Sequence, residues 1–145
     1  MLLSLDIKNF FDSISSDKIF DLFWNLGYKE DVVVMLTNLC CLNGSLPQGA
    51  PTSPMLSNIV LEDFDNEIGL YTMEQKIRYT RYADDMTFSG DFHPGKIISK
   101  VKRQLNDLGL KLNDEKTRTR GRGQRQEVTG IVVNEKMQLP RPERK

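Results

Sequence analysis

Apolar and polar residues alternate over Leu2-Leu3-Ser4-Leu5-Asp6-Ile7, which predicts a strand with Leu3, Leu5 and Ile7 on one face and Ser4 and Asp6 on the other. The period then changes to three and four. Ile19, Phe20, Phe23 and Trp24 recur along a predicted helix that Ser15 or Ser16 can cap and that Gly27 stops just after Leu26. A second helix, from about Glu30 to Leu42, sets Val33, Met35, Leu36, Leu39 and Cys40 toward a core, and Asn43-Gly44 turns the chain. The stretch Ser45-Leu46-Pro47-Gln48-Gly49-Ala50-Pro51 has too much Pro and Gly for a helix or central strand and reads as a rigid loop. Ser53 as cap and Pro54 in the first turn open a long helix ending near Gly69 to Met73. Leu56, Ile59, Val60, Phe64 and Ile68 form its sheet-covering face, with Glu62, Asp63, Asp65 and Glu67 on the solvated side.

Two β-rich runs follow, Ile77 to Tyr82 and Met86 to Gly90, with so little between them that they must fold back as a hairpin. After His93-Pro94-Gly95 a helix from about Lys96 to Leu108 turns Ile97, Ile98, Val101 and Leu105 inward and Lys96, Lys100, Lys102 and Arg103 outward, and Gly109 ends it. Arg118, Arg120, Arg122 and Arg125 sit in an exposed turn between strands. Glu127 to Val133 reads as a strand, Asn134-Glu135-Lys136 as its turn and Met137 to Leu139 as a return strand.

The 145 residues fit one domain of ordinary size, and 39% hydrophobic with 28% charged residues gives a soluble, globular composition. No apolar run approaches the roughly 20 residues of a membrane span, and Asp6 and Lys8 interrupt the N-terminal apolar run too early for a signal peptide. Cys40 and Cys41 are adjacent and lack metal-ligand spacing, so they read as buried thiols of a cytoplasmic protein. The net charge is zero, but its distribution is uneven. Residues 1–95 hold 6 Lys and Arg against 14 Asp and Glu, a net of −8, whereas residues 96–145 hold 14 against 6, a net of +8. That asymmetry suits a protein that gathers cations on one surface and follows a phosphate backbone with another.

Tyr82-Ala83-Asp84-Asp85 places two adjacent carboxylates at the hairpin turn, and a strand pairing would bring Asp6 within reach of both. Three hard oxygen donors without nearby Cys or His suit Mg²⁺, and two such ions can assist phosphoryl transfer. A polymerase, a nuclease or a cyclase would all be compatible with that set.

The blocks Asp6-Ile7-Lys8-Asn9-Phe10-Phe11 with Asp12-Ser13-Ile14, Leu46-Pro47-Gln48-Gly49-Ala50-Pro51-Thr52-Ser53-Pro54 and Tyr82-Ala83-Asp84-Asp85, in that order and spacing, resemble the palm of a reverse transcriptase. The wording from Gln48 to Asn58 and the later Val128-Thr129-Gly130 is most similar to bacterial retron-type enzymes. The resemblance implies an α+β polymerase palm, an antiparallel sheet with helices packed on one face. It implies an RNA-directed DNA polymerase with two Mg²⁺ ions, an RNA template and primer, dNTP as substrate, a structured non-coding RNA of its own and a part in antiviral defence.

The same resemblance assigns roles by position. Asp6 and Asp84 would hold metal with Asp85 in support, Ile7 would offer backbone to the triphosphate, and Phe11 would clash with a ribose 2′-hydroxyl. Gln48 would meet the incoming nucleotide and Gly49 the template side. Lys116, in Leu110-Lys111-Leu112-Asn113-Asp114-Glu115-Lys116, would approach the phosphates and protonate the leaving pyrophosphate. Arg118 and Arg120 are candidate phosphate contacts, and Val128, Thr129 and Gly130 candidate contacts to the structured RNA. Members of the family carry fingers ahead of the palm and a thumb after it, so residues 1–145 are expected to be a palm fragment. The competing expectations are a group II intron-type or defence-associated reverse transcriptase, an RNA-templated RNA polymerase, and a non-catalytic RNA-binding palm.

Overall fold

The computed structural model describes residues 1–121, 123–124, 126–128 and 131–132. Strand β1 (Leu2–Asp6) leads through a 3-10 turn (Phe11–Ser13) to helices α1 (Ser16–Asn25) and α2 (Glu30–Cys40). After the Pro-Gly loop come α3 (Ser53–Val60) and α4 (Glu62–Glu74), the hairpin β2 (Arg78–Tyr82) and β3 (Asp85–Ser89), and α5 (Pro94–Asp107). A second 3-10 turn (Asp114–Lys116) precedes β4 (Arg118–Arg120), and β5 (Glu127–Val128) pairs with β6 (Ile131–Val132). The main sheet has the order β2-β3-β1-β4, every pairing antiparallel. No described helix is long and apolar enough to cross a membrane.

Alternation in the sequence decides which face of this sheet is dry. Leu3 opposes Phe88 and Leu5 opposes Met86, and all four side chains are fully buried. They meet Phe64 and Ile68 of α4 and Ile97, Val101 and Leu105 of α5 in one core. Burying each such side chain contributes about 1.5–3 kcal/mol. One residue out of phase, Ser4 opposes Thr87 and Asp6 opposes Asp85, so the acids lie on the other face. The expected α+β architecture, with an antiparallel sheet and helices over one face, is the one observed.

Several local expectations need correction. The long helix is broken at Leu61, which lies outside helical geometry (φ −97°, ψ 7°). Leu56 and Leu61 would point about 140° apart on a straight helix, and both are buried on either side of this break. Ser53 is not its cap: Thr52 precedes the first turn, and the Ser53 hydroxyl donates instead to the Pro47 carbonyl at 2.7 Å, which ties the Pro-Gly loop to α3. Ser15 occupies the cap position of α1 but makes no side-chain cap bond.

Helix α2 carries two apolar stripes, and the fold buries the one through Val33 and Thr37. Met35 and Leu39, on the far side of the cylinder, face solvent, Leu39 at 75% exposure, and Trp24 of α1 is also exposed. Asp65 leaves the solvated face to bind Arg81 and Tyr79. Glu67 accepts a bond from Gln104 of α5. The single strand expected over 127–133 is two short strands paired with each other, Glu127 opposite Val132 and Val128 opposite Ile131. Thr129, Gly130, Arg122, Arg125 and the expected turn and return strand at 134–139 lie outside the described residues.

Candidate active site

Strand β1 ends with Asp6, whose carboxylate is almost fully buried at 5% exposure. A carboxylate there needs partners. Asn113 supplies two bonds, from its side-chain amide to Oδ1 at 3.1 Å and from its backbone N–H to the Asp6 carbonyl at 2.7 Å. The Lys116 ammonium donates to Oδ2 at 2.9 Å. Both residues belong to the second 3-10 turn and its entry, so that turn serves as a clamp on Asp6. Asn113 was not singled out in the sequence, although it lies three residues ahead of Lys116 in a block that was.

The hairpin brings up the other two acids. Tyr82 opposes Asp85 across the ladder, leaving only Ala83 and Asp84 in the turn. Ala83 adopts φ +51°, a left-handed conformation that is unfavourable for a residue with a Cβ. Two bonds hold it there. Arg81 Nη1 donates to the Ala83 carbonyl at 2.9 Å, and the Ile7 N–H donates to the Asp84 carbonyl at 3.1 Å. Arg81 is itself fixed by Asp65 of α4, which accepts from its Nε at 2.9 Å and also accepts the Tyr79 hydroxyl at 2.7 Å. Burial lowers the Arg81 pKa, but the Asp65 hydrogen bonds and charge overcome that effect and raise it. Burial, then the Asp65 bond and charge, push the Tyr79 hydroxyl far above its ordinary value.

The geometry crowds negative charge. Partial burial and then the charges of Asp84 and Asp6 push the Asp85 carboxyl up, and Lys116 opposes the shift. Reciprocally, the Asp6 hydrogen bond and charge raise the Lys116 ammonium, which keeps it protonated. A cavity of about 360 Å³ opens between these elements. Of the residues anticipated from the sequence, Asp6, Ile7, Phe11, Gln48, Asp84 and Lys116 line it, joined by Asn9, Phe10, Asp12 and Asn113.

Asp85 does not line the cavity but faces the same side of the sheet as Asp6, directly opposite it. Gly49 follows Gln48 with φ +87°, a conformation that glycine adopts without strain. Arg118 opposes Ser4 on β1, and its guanidinium turns back to the Glu115 and Thr117 carbonyls. Arg120 opposes Leu2 on the same strand, and Val128 sits in the separate β5–β6 pair.

Reverse transcriptase (RNA-dependent DNA polymerase) is the family whose sequence pattern matches, over residues 1–132. The chain belongs to that family. Among curated reverse transcriptases it is 36% identical over 138 residues to the retron Ec86 reverse transcriptase of Escherichia coli, covering 92% of this chain and 42% of that protein. It is 35% identical over 164 residues to the retron Mx65 reverse transcriptase of Myxococcus xanthus, covering 99% of this chain and 38% of that protein. The chain therefore spans about two fifths of the length of these relatives. A solved structure of apo telomerase from Candida tropicalis superposes with a TM-score of 0.66 at 12% identity, over 92% of this chain and 33% of that one. That similarity supports the palm-type fold.

The donor chemistry of this reverse transcriptase palm fits a hard divalent cation, since its clustered ligands are carboxylate oxygens alone. The carboxylates are not, however, a ready-made three-ligand set: among the described residues no three His, Cys, Asp or Glu side chains are placed to hold one ion together. Lys116 is the cation that pairs with Asp6 in this arrangement.

Proposed function

We propose that the chain is the catalytic palm of a retron-type RNA-directed DNA polymerase, in which a primer 3′-hydroxyl attacks the α-phosphate of a dNTP and pyrophosphate leaves. The observation that carries this reading is the shared cavity, where Asp6, Phe11, Gln48, Asp84 and Lys116 converge from four separate stretches of a reverse transcriptase chain. Asp6 and Asp84 would hold Mg²⁺ with Asp85 in support. When bound, such ions sharpen the attacking oxygen and stabilise the leaving one.

The side chains supply the rest. Phe11 forms the wall against which a sugar would rest and excludes a 2′-hydroxyl. Gln48 and the Ile7 segment position the nucleotide, with Gly49 on the template side. Lys116, held charged beside Asp6, can turn to the phosphates and give its proton to pyrophosphate, a step that contributes about 10²–10⁴ in rate. Arg118, Arg120 and Val128, with Thr129 and Gly130, are proposed RNA contacts. The template is RNA, and the resemblance to retron-type enzymes suggests a structured non-coding RNA of the protein's own as its source.

Primer extension on an RNA template with Mg²⁺ tests this reading, comparing the chain with its Asp84→Asn variant. Extension with dNTPs that vanishes in the variant is the expected result. RNA binding without extension, persisting when the remaining parts of a retron reverse transcriptase are supplied in trans, would instead identify a non-catalytic RNA-binding palm.

A further inference from the structure

A second cavity, larger than the one beside Asp6, lies elsewhere on the described structure. An open cleft of about 760 Å³ lies between α4 and α5, lined by Tyr71, His93, Gly95, Lys96, Ser99, Lys100 and Arg103. It shares no residue with the acidic cavity. On helix α5, Ile97, Val101 and Leu105 are buried in the core, and Lys96, Lys100 and Arg103 recur four and three residues apart on a different stripe. The cleft thus lies on the outer side of the helix layer, whereas the carboxylates lie on the far face of the sheet.

Its chemistry is one-sided. No lining residue is acidic, and among the described residues Lys96, Lys100 and Arg103 have no carboxylate within ion-pair distance. Lys102, on the same helix but turned away, does pair with Asp114, at 2.7 Å. Lys100 instead sits over the Tyr71 ring, 4.9 Å from its centroid, an arrangement that fixes the ammonium while leaving its charge uncompensated. Three converging cations repel one another unless an anion joins them. Ser99 and His93 add hydrogen-bonding groups, and the N-terminal end of α5 adds its positive dipole end. From Lys96 to Arg103 the row extends about 10 Å along the helix axis, room for successive phosphates rather than one.

We propose that the α4–α5 cleft is a second nucleic-acid contact, which grips the phosphate backbone of a structured RNA outside the template–primer site. The choice of RNA as the polyanion rests on the polymerase reading above; the charge and shape of the cleft do not. Such a contact would tether the RNA whose end is being copied without occupying the catalytic cavity.

The test measures binding of a mixed-sequence RNA hairpin to the 145-residue chain across a salt series, with parallel primer extension on a short unstructured template. Replacing Lys96, Lys100 and Arg103 by Gln should lower hairpin affinity on the order of 10-fold at 0.1 M salt and reduce the log–log salt slope by about 2 to 3, with extension on the short template unchanged. Charge-preserving exchange (Lys96→Arg, Lys100→Arg, Arg103→Lys) should keep the parent slope. Should the triple variant misfold, Lys96→Gln alone should lower the slope by roughly 0.7–0.9. An unchanged slope overturns the proposal, as does full displacement of the hairpin by millimolar inorganic phosphate, which would make the cleft a small-anion site. Loss of slope in a chain that extends no primer even when the remaining parts of a retron reverse transcriptase are supplied in trans would leave the cleft standing and remove the polymerase reading.

Discussion

Phe10 and Phe11 are adjacent and chemically identical, yet the fold gives them different surroundings. Both border the acidic cavity, but Phe10 is buried in the core, while Phe11, 5.1 Å from it between ring centroids, is only half-buried at the core's edge. If Phe11 is the ribose gate, Phe11→Ala should raise rNTP incorporation relative to dNTP by at least about 10-fold while costing less stability than a fully buried Phe, whose removal costs 3–5 kcal/mol. Unchanged sugar selectivity would reject that role. Asp85 supports a prediction of opposite sign. Its folded pKa is raised, so its protonated form is favoured in the fold, and the contribution to stability is complete below the ordinary Asp value and is lost as pH rises through the folded value. Asp85→Asn should therefore match the parent in melting temperature at the acid end of that window. It should exceed the parent in melting temperature at neutral pH without divalent cations, because partial burial and the Asp84 and Asp6 charges disfavour the ionised Asp85 carboxylate. A variant less stable at neutral pH would contradict this account.

At the scale of elements, the β2–β3 hairpin depends on α4. Asp65 holds Arg81, and Arg81 holds the Ala83 carbonyl at the strained turn between the acids. Asp65→Ala should cost roughly 2–3 kcal/mol, somewhat less than a fully buried pair because Asp65 keeps part of its exposure. Primer extension should fall by more than the folded fraction does, since the turn that presents Asp84 loses its anchor. A melting temperature equal to the parent's would show that the pair contributes nothing. The sequence suggested a solvated role for Asp65 because a carboxylate on the polar stripe of an amphipathic helix ordinarily meets water. Its partners come from residues 14 and 16 positions later, brought close only when the hairpin packs on the helix.

For the whole molecule, three acids of the acidic first 95 residues, Asp6, Asp84 and Asp85, meet at the end of the sheet, and Lys116 from the basic half crosses to Asp6. If Asp6 and Asp84 are the Mg²⁺ ligands, millimolar Mg²⁺ should raise the melting temperature of the parent, and Asp6→Asn or Asp84→Asn should abolish most of that increase. Equal Mg²⁺ shifts in parent and variants would place the ion elsewhere. What the sequence determined by itself was whatever depends on local period and residue type: β1, the hairpin, the α5 amphipathic face, and the acids at strand ends. Asp6, Gln48, Asp84 and Lys116 were singled out through the resemblance of their blocks to a reverse transcriptase palm. Only the tertiary structure decided which of two apolar stripes on α2 is buried, that the helix bends at Leu61, that Asn113 clamps Asp6 from 107 residues away, and that three cations on α5 share a cleft with Tyr71. Those outcomes depend on which surfaces meet, and a periodic pattern fixes the face of an element but not its partner.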